Sequence, residues 1–347
     1  MQKERDLSFD AFRGLAIIAV VAIHATSSGY SCGYRNLHFI VVYRQLLNFA
    51  VPAFLFISGY WLSKKPIKSL EDYKSFLIRR LSRILIPYFF WSSVLIGHAL
   101  IKTHDISVHK IIFTLLIGGA SDPYYFIILL AQLYIMTPLL QYINRKSYGL
   151  VLVLILNIIS LLSLYILRLY FNWSITFYWY ILPFYSWVIF YEAGLLAGGQ
   201  DKKIFIPKNA YLFISAAIFI SLLISRLEGT ILLLKYNNLR FAVTQVKYSS
   251  FLYSACIILG FLFVREHFRY WPKLLIAIGN YSFGIYLIHV TVLNKVVSIV
   301  QKSNTIYSLQ PLYQPIVVLI TILICFILIS AARELLPKSF CRKVLGF

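Results

Sequence analysis

Apolar runs of about twenty residues recur along the chain, separated by short polar or basic stretches. A helical run of that length matches the hydrocarbon core of a bilayer. The pattern predicts ten spanning helices, at about 10–30, 38–62, 84–101, 123–142, 148–168, 177–197, 210–225, 249–264, 274–294 and 313–332. The stretch 106–120 is apolar but short and contains Gly118-Gly119, which reads as re-entrant or interfacial. The expected architecture is an all-α polytopic membrane protein, with one membrane domain over 1–347.

Composition agrees with this reading, at 60% hydrophobic and only 13% charged residues, and excludes an ordinary soluble domain. The formal charge of +21 does not require nucleic acid as a partner, because the basic residues sit between apolar runs. With the N-terminus inside, 22 of the 33 Lys and Arg fall on the inner side, among them Lys3, Arg5, Lys202, Lys203 and seven in the stretch 64–83, read as a loop. That bias places both termini in the cytoplasm. The stretch 226–247, read as an outer loop with four basic residues, runs against it. The first run resembles a signal peptide only loosely. Glu4, Asp6 and Asp10 interrupt its basic region, and Arg13 and His24 its apolar one, so it reads as a retained span. Cys32, Cys256, Cys325 and Cys341 show neither paired nor metal-site spacing.

Ionisable residues inside an apolar run are expensive and mark function by default. Arg13 and His24 are eleven residues apart, about three helical turns, so both lie on one face about 16 Å apart along the axis. Asp10 orients Arg13 or caps the helix N-terminus. Glu192 is the acidic residue deep in an apolar run and is a candidate partner for Arg13 or another basic group. Arg80 and Arg83 share a helix face, and guanidinium forks suit phosphate; a plain positive-inside cluster explains them equally well. Ser58-Gly59-Tyr60-Trp61 closes the second span with an aromatic anchor. His289 is expected in the outer half of its span, as His24 is in its own. The aromatic stretch Trp173 to Trp187 would stack on a sugar ring or form an interfacial belt.

Four motifs in order resemble the acyltransferase-3 family of integral membrane O-acyltransferases. Asp10-x-x-Arg13-Gly14 with His24 at the Arg-x10-His spacing is similar to the first-helix signature. Phe56-Ile57-Ser58-Gly59-Tyr60 resembles the second-helix motif, Arg80-x-x-Arg83 the cytoplasmic Arg pair, and Ser282 to His289 the late-helix motif. Many members open the fourth span with a His-Leu-Trp-Phe-like run, where this chain has Tyr124-Tyr125-Phe126. The likeness is to the stand-alone, glycan O-acetyltransferase-like group. It implies transfer of an acyl group, usually acetyl from acetyl-CoA, to a hydroxyl of a cell-surface polysaccharide or its lipid-linked precursor. His24 is then general base or acyl carrier, with Arg13, Asp10 and Glu192 beside it in the chemistry. Arg80 and Arg83, with Ser58 and Tyr60, hold acyl-CoA, and His289, Tyr286 and Tyr124 serve the acceptor or the structure. No tightly bound cofactor and no metal are implied, and the location is a bacterial-type cytoplasmic membrane. The competing reading is a non-enzymatic transporter or exporter of a glycan or lipid-linked intermediate, since polar residues in broken spans suit that class too.

Overall fold

The structure is a computed structural model that describes all residues except 1–5, 31–32, 65–66, 104–106, 147, 172, 174 and 200–205. The expectations placed on Lys3, Glu4, Arg5, Cys32, Lys202 and Lys203 lie outside the described residues. The chain begins with α1 (Leu7–Ala25), α2 (Tyr34–Leu47), α3 (Ala50–Ser63), α4 (Leu70–Thr103), α5 (Val108–Ile117) and α6 (Tyr125–Asn144). It continues with α7 (Gly149–Tyr165), α8 (Phe177–Ile181), α9 (Val188–Gly199), α10 (Tyr211–Leu234), α11 (Leu239–Val243) and α12 (Tyr248–His267). It ends with α13 (Lys273–Asn280), α14 (Ser282–Val300), α15 (Asn304–Ser308), α16 (Gln310–Leu335) and α17 (Lys338–Phe340).

Nine helical stretches among the described residues are long and apolar enough to cross a membrane. Phe213 on α10 is 80% exposed and Leu319 on α16 is 69% exposed. Such apolar surface is costly in water and at home against lipid. The chain is an integral membrane protein.

Several boundaries differ from the sequence expectation. Most of the stretch read as a loop is helix: α4 runs unbroken from Leu70. No Gly or Pro interrupts residues 70–86, and Lys, Arg and Leu all favour a helix. At about 1.5 Å per residue, its 34 residues reach about 51 Å. The stretch 226–247 is likewise mostly helical, as the end of α10 and all of α11. The sixth span breaks into α8, a turn at Phe184–Ser186 and α9, because Pro183 cannot continue α8. The second span breaks between α2 and α3, where Pro52 cannot donate to the Asn48 carbonyl. The ninth breaks after Gly279-Asn280, both poor helix formers. Among the described residues of the 106–120 stretch, the helix is the ten-residue α5, too short to span. It stops at Gly118, whose φ of 73° is left-handed.

The described chain forms two compact units, Met1–Ile57 with Gln200–Ile327 and Ser58–Gly199 with Leu328–Phe347. In the first, α1 packs on α13 and α14, and α10 packs on α2 and α12. Asp6 caps α1 by accepting from the Ser8 N–H at 3.2 Å, and Arg265 Nη2 holds the same carboxylate at 3.0 Å. Gly14 and Gly279 let α1 and α13 cross flush. A Cβ on Gly14 would strike the Leu275 carbonyl, and one on Gly279 the Asp10 carbonyl.

In the second unit, α4 packs on α6, and α9 packs on α6 and α7. Trp91 Nε1 of α4 donates to the Leu345 carbonyl at 3.1 Å, which ties down the C-terminal turns. Cys256 and Cys325 in the first unit and Cys341 in the second are free and buried.

Candidate active site

The first unit holds the Arg13–His24 helix. Only Leu7, Arg13, Leu15, Ile18 and His24 of α1 retain exposure. Arg13 Nη1 donates to Asp10 Oδ1 at 3.1 Å. The two alternatives for the carboxylates are thereby separated: Asp6 caps the helix and Asp10 pairs with Arg13.

At the other end of α1, the His24 ring lies 5.2 Å from the ring of His289, centroid to centroid. His289, on α14, is fully buried. Its Nδ1 lies 2.8 Å from the Tyr286 carbonyl and 3.1 Å from that of Ile285. Its Nε2 has no hydrogen-bond partner among the described residues. Tyr286 supplies one of those carbonyls and sets its own ring 6.2 Å from His289.

The sequence reading assigned nothing to Arg44, Gln45, Asn48 and Lys247, which form a buried polar cluster on the same unit. Arg44 Nη1 donates to the Ile23 carbonyl at 2.9 Å, the residue before His24. Its Nη2 and Nε reach the Val243 carbonyl at 2.9 and 3.3 Å. Arg44 therefore clamps the last turn of α1 to the end of α11, where helix-end carbonyls favour a cation. Lys247 Nζ donates to Gln45 Oε1 at 2.8 Å and to the Ala242 carbonyl at 2.9 Å. Asn48 Nδ2 donates to Ser250 Oγ at 3.0 Å. The available signal was Arg44 itself, a guanidinium well inside the second apolar run.

The second unit holds the arginine pair. The first turns of α4 and the end of α3 enclose a cavity of about 410 Å³. Arg79, Arg80 and Arg83 line it, with Asp72, Phe76 and Leu62. The Asp72 carboxylate accepts the N–H groups of Ser69 at 3.1 Å and Lys68 at 3.2 Å, so its charge is engaged in capping α4. Three guanidiniums over an apolar wall suit a phosphorylated ligand with a flat ring. The sequence reading named two of the three.

Gly59 lies flush against the Tyr191 carbonyl, and Gly198 against that of Tyr60. Ser58 and Tyr60 therefore sit at a helix crossing, with Lys64 Nζ 4.9 Å from the Tyr60 ring centre. Glu192, on α9, is fully buried, and neither carboxylate oxygen has a hydrogen-bond partner among the described residues. Tyr124 is also fully buried, and its ring meets Tyr88 edge-on at 5.7 Å.

Helices long and apolar enough to span a membrane, an Arg–His helix and an arginine-lined cavity make this a membrane-embedded protein whose charged groups suit a phosphorylated ligand. The chain belongs to the acyltransferase-3 family, whose profile, described as "Acyltransferase domain", matches residues 6–330. It is 24% identical over 306 residues to a protein of Bacillus subtilis (strain 168) named "Putative membrane-bound acyltransferase YfiQ", covering 80% of this chain and 78% of that one. No solved structure matches it. The protein is a membrane acyltransferase.

Proposed function

We propose that this protein is an O-acyltransferase of the cytoplasmic membrane that moves an acetyl group from acetyl-CoA to a hydroxyl of a surface polysaccharide or its lipid-linked precursor. The observation that carries this reading over a transporter is the cavity lined by Arg79, Arg80 and Arg83. A phosphorylated donor needs such a site, and a glycan path does not. Arg80 and Arg83 hold the phosphates of CoA, and Leu62 and Phe76 offer the adenine an apolar wall. His24 takes the proton of the acceptor hydroxyl, the oxygen attacks the thioester carbonyl, the carbon–sulfur bond breaks, and the thiolate recovers the proton as CoA-SH. Asp10 fixes Arg13 on the same face of α1, about three turns from that chemistry.

The test is acyl transfer by purified protein and its His24 variants, followed as CoA-SH release with a glycan acceptor. His24→Ala should lower the rate by about 10²–10⁴-fold while acetyl-CoA still raises the unfolding temperature. His24→Gln should be nearly as inactive, since an amide cannot shuttle a proton. Direct transfer should give no CoA-SH burst in the absence of acceptor; a burst of about one equivalent would instead indicate an acyl-histidine. An active His24→Gln enzyme would end the catalytic reading.

A further inference from the structure

His289 presents a buried nitrogen that the steps above do not use. Both atoms facing its Nδ1 are carbonyl oxygens, Tyr286 at 2.8 Å and Ile285 at 3.1 Å. Carbonyls only accept, so in the neutral ring the proton sits on Nδ1 and Nε2 keeps a bare lone pair. Nε2 is the other ring nitrogen, and it is buried without a partner among the described residues. A buried acceptor left unsatisfied is uncommon and costly, and calls for a reason. The ring next to it is His24, at 5.2 Å between centroids, on the helix α1 that packs against α14.

We infer that His289 is a positioning residue for His24: its bare Nε2 accepts the N–H of the His24 ring and so turns the other His24 nitrogen, unprotonated, toward the acceptor hydroxyl. This rests on the reading of His24 as the base. His289 gives and takes no proton in the step. The hydroxyl proton moves to the free His24 nitrogen and leaves on the CoA thiolate, while the second His24 proton stays on its ring and remains hydrogen-bonded to His289. The backbone of α14 fixes the tautomer of His289, and His289 fixes that of His24, as outer hydrogen-bond partners commonly orient a working imidazole. Arg44 holds the same turn of α1 by donating to the Ile23 carbonyl at 2.9 Å.

The test compares His289→Gln, which keeps an acceptor oxygen, with His289→Leu, which does not. His289→Leu should lower kcat by about 10–100-fold and leave KM for acetyl-CoA within about twofold. His289→Gln should recover most of the lost kcat. Wild-type kcat in His289→Leu, beside an inactive His24→Gln, would overturn the inference and leave the His24 reading standing. Equal losses in both His289 variants would also overturn it, because the acceptor atom would then not matter. An active His24→Gln enzyme would remove both readings together. If His289→Leu does not fold, ring-¹⁵N histidine spectra of the wild-type protein decide, with the His289 signal assigned by its loss in His289→Gln. A proton on Nδ1 and none on Nε2 supports the inference, and a proton on Nε2 overturns it.

Discussion

Three guanidiniums around one cavity repel each other until an anion lies among them. In the second unit the nearby carboxylate, Asp72, already receives two backbone N–H groups. Arg80→Ala and Arg83→Ala should each weaken acetyl-CoA binding by about ten- to a hundredfold, the scale of one charge-assisted hydrogen bond. Lysine at either position should restore only part, because a point charge lacks the fork. Titration calorimetry or thermal-shift binding would check this; unchanged affinity in the double Ala variant would leave the pair as a topology signal. At this scale the sequence was informative where a charge interrupts an apolar run in a family-like motif, as at Arg13 and His24. It marked Arg44 as a charge inside an apolar run but gave no role for it, because the partners of that side chain are the Ile23 and Val243 carbonyls. A backbone acceptor leaves no mark in the residue types. The same holds for His289, whose place beside His24 depends on how α14 packs on α1.

At the scale of elements, the crossing of α1 and α13 depends on the absence of two side chains. Gly279→Ala would press a methyl group on the Asp10 carbonyl, and backbone cannot swing aside as a long side chain can. We expect a loss of about 1–3 kcal/mol, typical of overpacking. Gly97→Ala is the control: its Cβ enters open space on α4, so helix propensity should leave stability equal or slightly improved. Thermal unfolding in detergent compares the two, and equal midpoints would mean the crossing is not tight. Apolar run length located most of these helices, as it should for lipid-facing segments. It failed where a helix outlasts its apolar run. The basic first turns of α4 read as loop because hydropathy tracks the solvent around a helix and not the helix itself. It also failed where a run outlasts its helix. The second, sixth and ninth runs each continue through a break set by a single proline or a Gly-Asn pair.

At the scale of the whole molecule, the count of about ten spans comes to nine among the described residues, the sixth being too broken to qualify. The orientation rests on the charge bias, against which stand Arg226 and Arg240 on α10 and α11 and Lys235 and Lys247 just outside helices. Lys247 at least is fully buried and hydrogen-bonded, so it says nothing about which side of the bilayer it faces. Single-cysteine variants test the proposal that both termini are cytoplasmic. Leu70→Cys and Arg145→Cys should react with a membrane-impermeant maleimide only after cells are opened, and His104→Cys, outside the described residues, in intact cells. Labelling of Leu70→Cys from outside would invert the map.

The length of α4 has a consequence for the kind of membrane that suits this protein. A rod of about 51 Å overshoots a hydrocarbon layer of about 30 Å by several turns. A helix cut to match one bilayer must tilt, or pinch the lipid around it, when the lipid changes. A helix with surplus length and a basic collar at Lys74, Arg79, Arg80 and Arg83 offers the headgroups cations over several turns instead, without leaving its packing on α6. Thickening or thinning of the surrounding lipid then moves the waterline up or down the collar, one cationic turn at a time, and leaves the collar itself intact.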